Sequence, residues 1–430
     1  MPVPDERQTS EPDRAILVAL RLPETSREDL DDEMKELGAL CQTLGTEVAD
    51  QIIQARPKPD PSTFIGRGKA LEIRDRCKRI GANSVIFDED LSPGQVKNLE
   101  KVMGLPVRDR CGVILDIFAS RARTYESKLQ VELAQMEYVL PRLTHQWSHL
   151  SRQIGGGKVQ RGIGEKQLEL DRRYVRNRIA VLKERLSKVE QQRETRRRAR
   201  EENFRVAIVG YTNSGKSTLM NRLTDSRLLV EDKLFATLDS SIRAIVPGEK
   251  PPILLSDTVG FIRKLPHSLV ASFRSTFEEA GSADLLLDVV DLTDARFKEK
   301  MEASRAALKE FALDRKPYIT VFNKIDLLPQ SKLPVIVRSI YPSAVCVSAV
   351  TGDGLEELRR RIYGFFEDRM VDVEMAIDYD QGSLINRIFQ NARISSIEYH
   401  QDRIVLRFRT TKTEVSRIQS RLNGRKALAG

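Results

Sequence analysis

Short apolar runs alternate with amphipathic, polar-faced stretches along most of this 430-residue chain. Ala15-Ile16-Leu17-Val18-Ala19-Leu20 reads as a buried strand, and Ser26 with Asp29 opens a helix that continues to about Leu44. Val48 to Ile53 and Ser84 to Phe87 have the β-branched, apolar character of further strands. Helices are predicted from about Lys69 to Ile80 and from Ser92-Pro93 to Met103, where a serine ahead of a proline marks a helix start. Residues 14–121 are therefore expected to form an N-terminal α/β domain behind a polar, disordered start at 1–13.

From 122 to 203 the period lengthens. Leu129, Leu133, Met136, Leu140, Leu143, Trp147 and Leu150 recur at steps of four and three, as do Val175, Ile179, Leu182, Leu186 and Val189. Both are heptad seams, and the glycines at 155–157, 162 and 164 separate them. The pattern predicts an antiparallel helical hairpin with a flexible tip and a kink or break at Pro141. Residues 204–367 return to strand and helix, with strands predicted at 205–210, 240–246, 252–257, 284–290, 318–323 and 343–348. In the last stretch, 368–430, Ile394 to Glu398 and Arg403 to Phe408 read as a hairpin between two helices, a small α+β domain.

Within the third region lies Gly210-Tyr211-Thr212-Asn213-Ser214-Gly215-Lys216-Ser217-Thr218, a GxxxxGK[ST] loop that follows the apolar strand Val206 to Val209 and opens a helix. Its glycines let successive N–H groups turn toward a β-phosphate, with the helix N-terminus adding its dipole. Lys216 would supply positive charge to the β/γ oxygens, and Ser217 a hydroxyl to Mg²⁺. Asn213 has two readings: a ligand to a monovalent cation such as K⁺ bridging the phosphates, or a side chain that stabilises the turn.

The loop alone leaves kinase, ATPase and GTPase open. Asp257-Thr258-Val259-Gly260 after the strand Ile253 to Leu255 places a carboxylate in the Mg²⁺ shell, through water, and the Gly260 N–H within reach of a γ-phosphate. Asn323-Lys324-Ile325-Asp326 closes another strand, and Asp326 can accept from guanine N1–H and its 2-amino group, a donor pair adenine lacks. Ser348-Ala349 fits a loop that meets guanine O6 through backbone N–H. Thr237, inside Leu234-Phe235-Ala236-Thr237-Leu238-Asp239, is the candidate switch threonine that completes the Mg²⁺ shell. These motifs together predict a doubly wound P-loop G domain that binds GTP or GDP, with Lys216, Thr237 and Gly260 as its catalytic residues. After Gly260 stands Phe261, whose ring cannot orient water, and no cis arginine is evident, although Arg263 and Lys264 are near in sequence. Slow hydrolysis stimulated by a partner is the expectation.

Charge changes the picture in one region. Lys and Arg total 71 against 62 Asp and Glu, a modest excess for the length. The segment from Glu165 to Glu202, however, carries 13 basic and 8 acidic residues, net +5. Arg152, Lys158 and Arg161 lie at the glycine-rich tip with no acidic neighbour, and are candidate RNA contacts; a solvated helix face is the plainer reading of the run beyond it. Cys41, Cys77, Cys111 and Cys346 have no metal or CxxC spacing and read as buried thiols of a cytoplasmic protein. His145 and His149 form an i,i+4 pair without a third ligand. Gly66-Arg67-Gly68-Lys69 reads as a helix-capping turn more readily than as a second phosphate site. No run is long enough to span a membrane, and a monomer is expected.

The chain resembles the HflX family of translation-associated GTPases over nearly all its length. The resemblance is carried by Thr63 to Lys69, Phe87 to Pro93, Leu115 to Ala119, Leu129 to Gln135, Leu140 to Leu143, Gly210 to Thr218, Phe235 to Asp239 and Asp257 to Pro266. It implies binding to the large ribosomal subunit and GTP-dependent splitting of stalled or idle ribosomes under stress. The chain departs from the family pattern at the tip, with Ile163 for a proline and Lys166 for a threonine, and after switch I, where Asp239 is followed by Ser240-Ser241. A nucleotide-dependent RNA chaperone or helicase-like protein is the alternative reading, and a switch that recruits a protein through the hairpin is a third.

Overall fold

The computed structural model describes residues 13–143, 164–198, 203–224, 234–235, 237–238, 241–246, 250–264, 279–328 and 333–426. The expected disordered start, the glycine-rich tip with Arg152, Lys158 and Arg161, and Trp147, His145, His149, Ala236 and Asp239 lie outside them. The chain divides into two units. The first is Met1–Val189 with Lys233–Leu238 and Lys264–Phe273; the second is Glu190–Asp232, Asp239–Arg263 and Arg274–Gly430.

In the first unit, β1 (Arg14–Arg21), α1 (Arg27–Leu44), β2 (Glu47–Ala55), α2 (Arg67–Ile80), β3 (Ser84–Phe87), α3 (Pro93–Met103), β4 (Val107–Asp109) and α4 (Arg110–Arg121) follow in sequence. The strands make a parallel sheet in the order β2-β1-β3-β4. β1 is buried from Ala15 to Leu20, as a continuous apolar strand in a covered parallel sheet should be. Local chemistry sets the helices: the Ser26 hydroxyl accepts the Asp29 N–H at 3.0 Å to start α1, and Ser92 and Gln95 form a capping box ahead of α3 with Pro93 in its first turn. Gly66 caps α2 with no side-chain bond, in keeping with a helix start. The three-residue β4, absent from the sequence reading, ends at the buried Asp109, which caps α4 and accepts from Tyr138 Oη at 2.7 Å and Arg142 Nη2 at 2.9 Å.

α5 (Tyr125–Val139) ends one residue before a 3₁₀ turn at Leu140–Arg142, the break Pro141 was expected to cause. α6 runs from Gly164 to Arg198. Leu129, Leu133, Met136 and Leu143 share one apolar cluster with Val175, Leu182 and Leu186, so the two seams pack on each other. Glu132 pairs with Arg178 and Glu137 with Lys183 at its margin. All four cysteines are buried thiols, none in a disulfide.

The second unit holds a six-stranded sheet ordered β10-β9-β8-β5-β7-β6. Its elements are β5 (Phe204–Gly210), α7 (Lys216–Thr224), β6 (Ile242–Ala244), β7 (Ile253–Asp257), β8 (Leu285–Asp291), α8 (Phe297–Glu310), β9 (Tyr318–Asn323), α9 (Leu333–Ile340), β10 (Val345–Cys346) and α10 (Leu355–Glu367). All pairings are parallel except β6 on β7. Two predicted strands shrink: 240–246 to three residues and 343–348 to two. Because β5 leads outward to β7 on one side and β8 on the other, the sheet reverses its winding at the carboxyl end of β5, where ligands of such sheets bind.

A separate antiparallel sheet, β11-β13-β12, follows with β11 (Met370–Asp378), α11 (Gly382–Asn391), β12 (Arg393–Tyr399), β13 (Arg403–Thr411) and α12 (Lys412–Lys426). The predicted hairpin is β12 and β13; β11 is an addition. Ile377, Leu384, Ile388, Leu406, Phe408 and Ile418 form its core. Among the described residues no helix is long and apolar enough to cross a membrane.

Candidate functional site

Val206 to Val209 are fully buried in β5, and the chain leaves the sheet at Gly210 with φ +141°. A Cβ there would lie 2.3 Å from the Val289 carbonyl oxygen, so no side chain can replace it. Asn213 turns the loop with φ +60° and its side chain is exposed, a conformation asparagine tolerates and one that supports the turn reading. Thr212 Oγ1 and Ser214 Oγ are buried without a hydrogen-bond partner among the described residues. Polar atoms left so inside a loop suit a polar ligand.

Lys216, first residue of α7, is buried and donates from Nζ to the Tyr211 carbonyl at 2.7 Å. Burial lowers its pKa to about 8, against the pull of the Asp257 and Asp288 carboxylates. Next to it Ser217 Oγ donates to Asp257 Oδ2 at 2.6 Å, joining the start of α7 to the end of β7. A hydroxyl and a carboxylate in contact are the hard oxygen donors that Mg²⁺ requires, so the residues fit that ion. Bound there, it would neutralise phosphate charge.

The DxxG segment lies against the loop. Phe261 N–H donates to Gly210 O at 3.0 Å, and Thr212 N–H to Phe261 O at 2.7 Å, while Thr258 Oγ1 donates to Ile208 O at 2.7 Å. Gly260 sits so close that a Cβ would fall 2.7 Å from Lys216 Nζ and 2.8 Å from Thr212 Cα. Phe261 itself is buried. Arg263 N–H donates to Tyr211 Oη at 2.8 Å and its guanidinium to Glu299 Oε2 at 2.6 Å. Lys264, within the first unit, reaches Asp88 Oδ2 at 2.7 Å and Glu33 Oε2 at 2.9 Å. Both basic residues near the switch thus have carboxylate partners of their own.

On the other side of the loop, Asn323 Nδ2 donates to Ser214 O at 2.9 Å and its Oδ1 accepts the Ala349 N–H at 3.0 Å. Ser348 Oγ donates to Asp326 Oδ1 at 2.6 Å, fixing the carboxylate expected to read guanine. Lys324 has φ +68° and pairs with Asp291 at 2.8 Å. The structure therefore gathers the 210–218, 257–260, 323–326 and 348–349 segments at the carboxyl ends of β5, β7, β9 and β10. Phe235, Thr237 and Leu238 belong to the first unit, where the Phe235 ring meets Phe118 edge-on at 4.7 Å. Sequence reasoning also missed Asp288, a carboxyl buried in β8 whose pKa burial raises to about 6 and whose Oδ1 lies 3.4 Å from Ser304 Oγ. Its signal was available: one acid inside the apolar run Leu285 to Val290.

Known proteins resemble most of this chain. Family models described as GTP-binding GTPase N-terminal, GTP-binding GTPase Middle Region, 50S ribosome-binding GTPase and HflX C-terminal domain match residues 31–119, 121–200, 205–324 and 338–428. GTPase HflX of Lacrimispora saccharolytica is 44% identical over 396 residues, 91% of this chain and 92% of the relative. GTPase HflX of Escherichia coli K12 is 43% identical over 382 residues, 88% of each, and that of Gluconacetobacter diazotrophicus 38% identical over 96% and 98%.

Proposed function

This chain belongs to the HflX family of GTPases and is a GTP hydrolase, and we propose that it acts in the cytoplasm on the large ribosomal subunit, dissociating stalled or idle ribosomes in its GTP state. The observation that carries this reading is the match of residues 205–324 to a family described as ribosome-binding, on a chain whose preceding helical segment has net charge +5. A basic segment gains affinity for a polyphosphate surface by releasing counterions. In this reading Arg152, Lys158 and Arg161 contact ribosomal RNA at the hairpin tip.

The geometry supports the following site roles. Residues Gly210 to Thr218 cradle the phosphates, Lys216 holds the β/γ oxygens, and Asn323, Asp326, Ser348 and Ala349 hold the base. Ser217 and Asp257 hold Mg²⁺, the latter through water. Thr237 completes that shell. Intrinsic hydrolysis is slow, because Phe261 is buried where a water-orienting side chain is needed and Arg263 and Lys264 are engaged elsewhere. A partner that orders the switch supplies roughly 10³- to 10⁵-fold.

Single-turnover hydrolysis with and without purified large subunits tests this. Stimulation that falls away at high salt, and in a variant with Arg152, Lys158 and Arg161 replaced by alanine, is expected. Fast hydrolysis by the protein alone, or stimulation indifferent to those three residues, contradicts it. The same assay in potassium against sodium salts decides whether Asn213 also holds a monovalent cation.

A further inference from the structure

α7 presents Lys216 and Ser217 at its start, and at its other end it holds a different part of the site. Arg222, exposed in the last turn, donates from Nε to Ala349 O at 3.3 Å and from Nη2 to Val350 O at 2.5 Å. Arg359 of α10 donates from Nη2 to the Arg222 carbonyl at 3.2 Å, which steadies the end of α7 from which the side chain reaches out.

The two carbonyls belong to the loop expected to meet guanine O6. That loop is tied on its strand side by Ala349 N–H to Asn323 Oδ1, and within itself by Thr351 N–H to Ser348 Oγ at 3.0 Å. Val350 is 62% exposed, so burial of its side chain contributes little to holding it. Peptide groups are planar: Ala349 O shares its plane with Val350 N–H, and Val350 O with Thr351 N–H. A rigid guanidinium fork on both oxygens therefore sets the tilt of the first amide and adds to the Ser348 bond in holding the second. A lysine in its place would reach one oxygen at a time.

We propose that Arg222 is a positioning residue for guanine selectivity: by fixing the carbonyls of Ala349 and Val350 it orients the Val350 N–H, which shares a plane with Ala349 O, toward O6, and it couples that loop to the helix bearing Lys216. Arg222 touches neither phosphate nor reacting atoms, so its effect appears in binding of the base. The inference depends on GTP binding alone and stands apart from any action on the ribosome.

The test uses the full chain with Arg222→Ala, Arg222→Gln and Arg222→Lys, measuring GDP and ADP affinity by competition, steady-state GTP hydrolysis and thermal unfolding without nucleotide. GDP affinity is expected to fall about tenfold in the alanine and glutamine variants, the scale of one charge-assisted hydrogen bond. ADP has no O6 acceptor, so its affinity stays as in the parent and the guanine preference drops by the same factor. KM for GTP rises while kcat at saturation is unchanged, and the lysine variant recovers part of the loss. The proposal is overturned if GDP affinity is unaltered, whatever happens to unfolding, if GDP and ADP lose affinity equally, or if kcat falls at constant KM.

Discussion

Lys216 shows how a single buried charge ties binding to pH. Without nucleotide its ammonium faces mainly a backbone carbonyl and its pKa lies near 8 because burial disfavours the charged form. In the role proposed for Lys216, phosphate oxygens favour that form, so the nucleotide complex is expected to keep the proton to higher pH. Well below pH 8 the lysine is charged in both states and affinity should not vary through it. Above pH 8 binding must take up a proton, and GDP affinity should fall by up to about tenfold per pH unit. Calorimetry at pH 8.5 in buffers of different ionisation enthalpy should register that uptake; heats independent of the buffer would contradict this account. Gly260 belongs to the same scale, since the contacts a Cβ would make with Lys216 and Thr212 leave the switch no residue but glycine.

At the level of elements, the helical seams make the sharpest mechanical claim. Leu182 is fully buried in the cluster shared by α5 and α6, so Leu182→Ala should cost about 2–5 kcal/mol in denaturant unfolding of the helical signal. Tyr174→Ala, on the half-exposed face of α6, should be close to neutral. Equal effects would mean that the seams do not carry the packing. Elements with local chemical punctuation, such as α1 behind Ser26 and α3 behind Ser92-Pro93, were legible in the sequence to within about two residues. β11 was not, because Asp372 and Glu374 interrupt its apolar run; they face Arg409 and Arg407 across the sheet and so become visible only once β13 is paired beside them. β4 escaped because three residues carry no period. The loops at 210–218, 257–260 and 323–326 were legible for the opposite reason, since each is a contiguous string whose chemistry is set by spacing. The grouping of Phe235 and Lys264 with the first unit depends on Phe118 and Asp88, more than a hundred residues away in sequence, and no local pattern announces it.

For the whole molecule, the segments that carry the candidate motifs fall in both units. The phosphate loop and Gly260 lie in the second, while Phe235, Thr237 and Lys264 are counted with the first. Hydrolysis is expected to await a partner because Phe261, buried after Gly260, cannot orient water, and Arg263 and Lys264 are held by carboxylates. Energy for ribosome dissociation would come from binding in the GTP state, with hydrolysis serving release.

Sedimentation of intact ribosomes with excess protein tests that claim most directly. With a non-hydrolysable GTP analogue, ribosomes should separate into subunits and the protein should travel with the large subunit, whereas GDP should leave both the ribosomes and the free protein unchanged. Intact ribosomes in the analogue, or equal dissociation with GDP, would contradict the account.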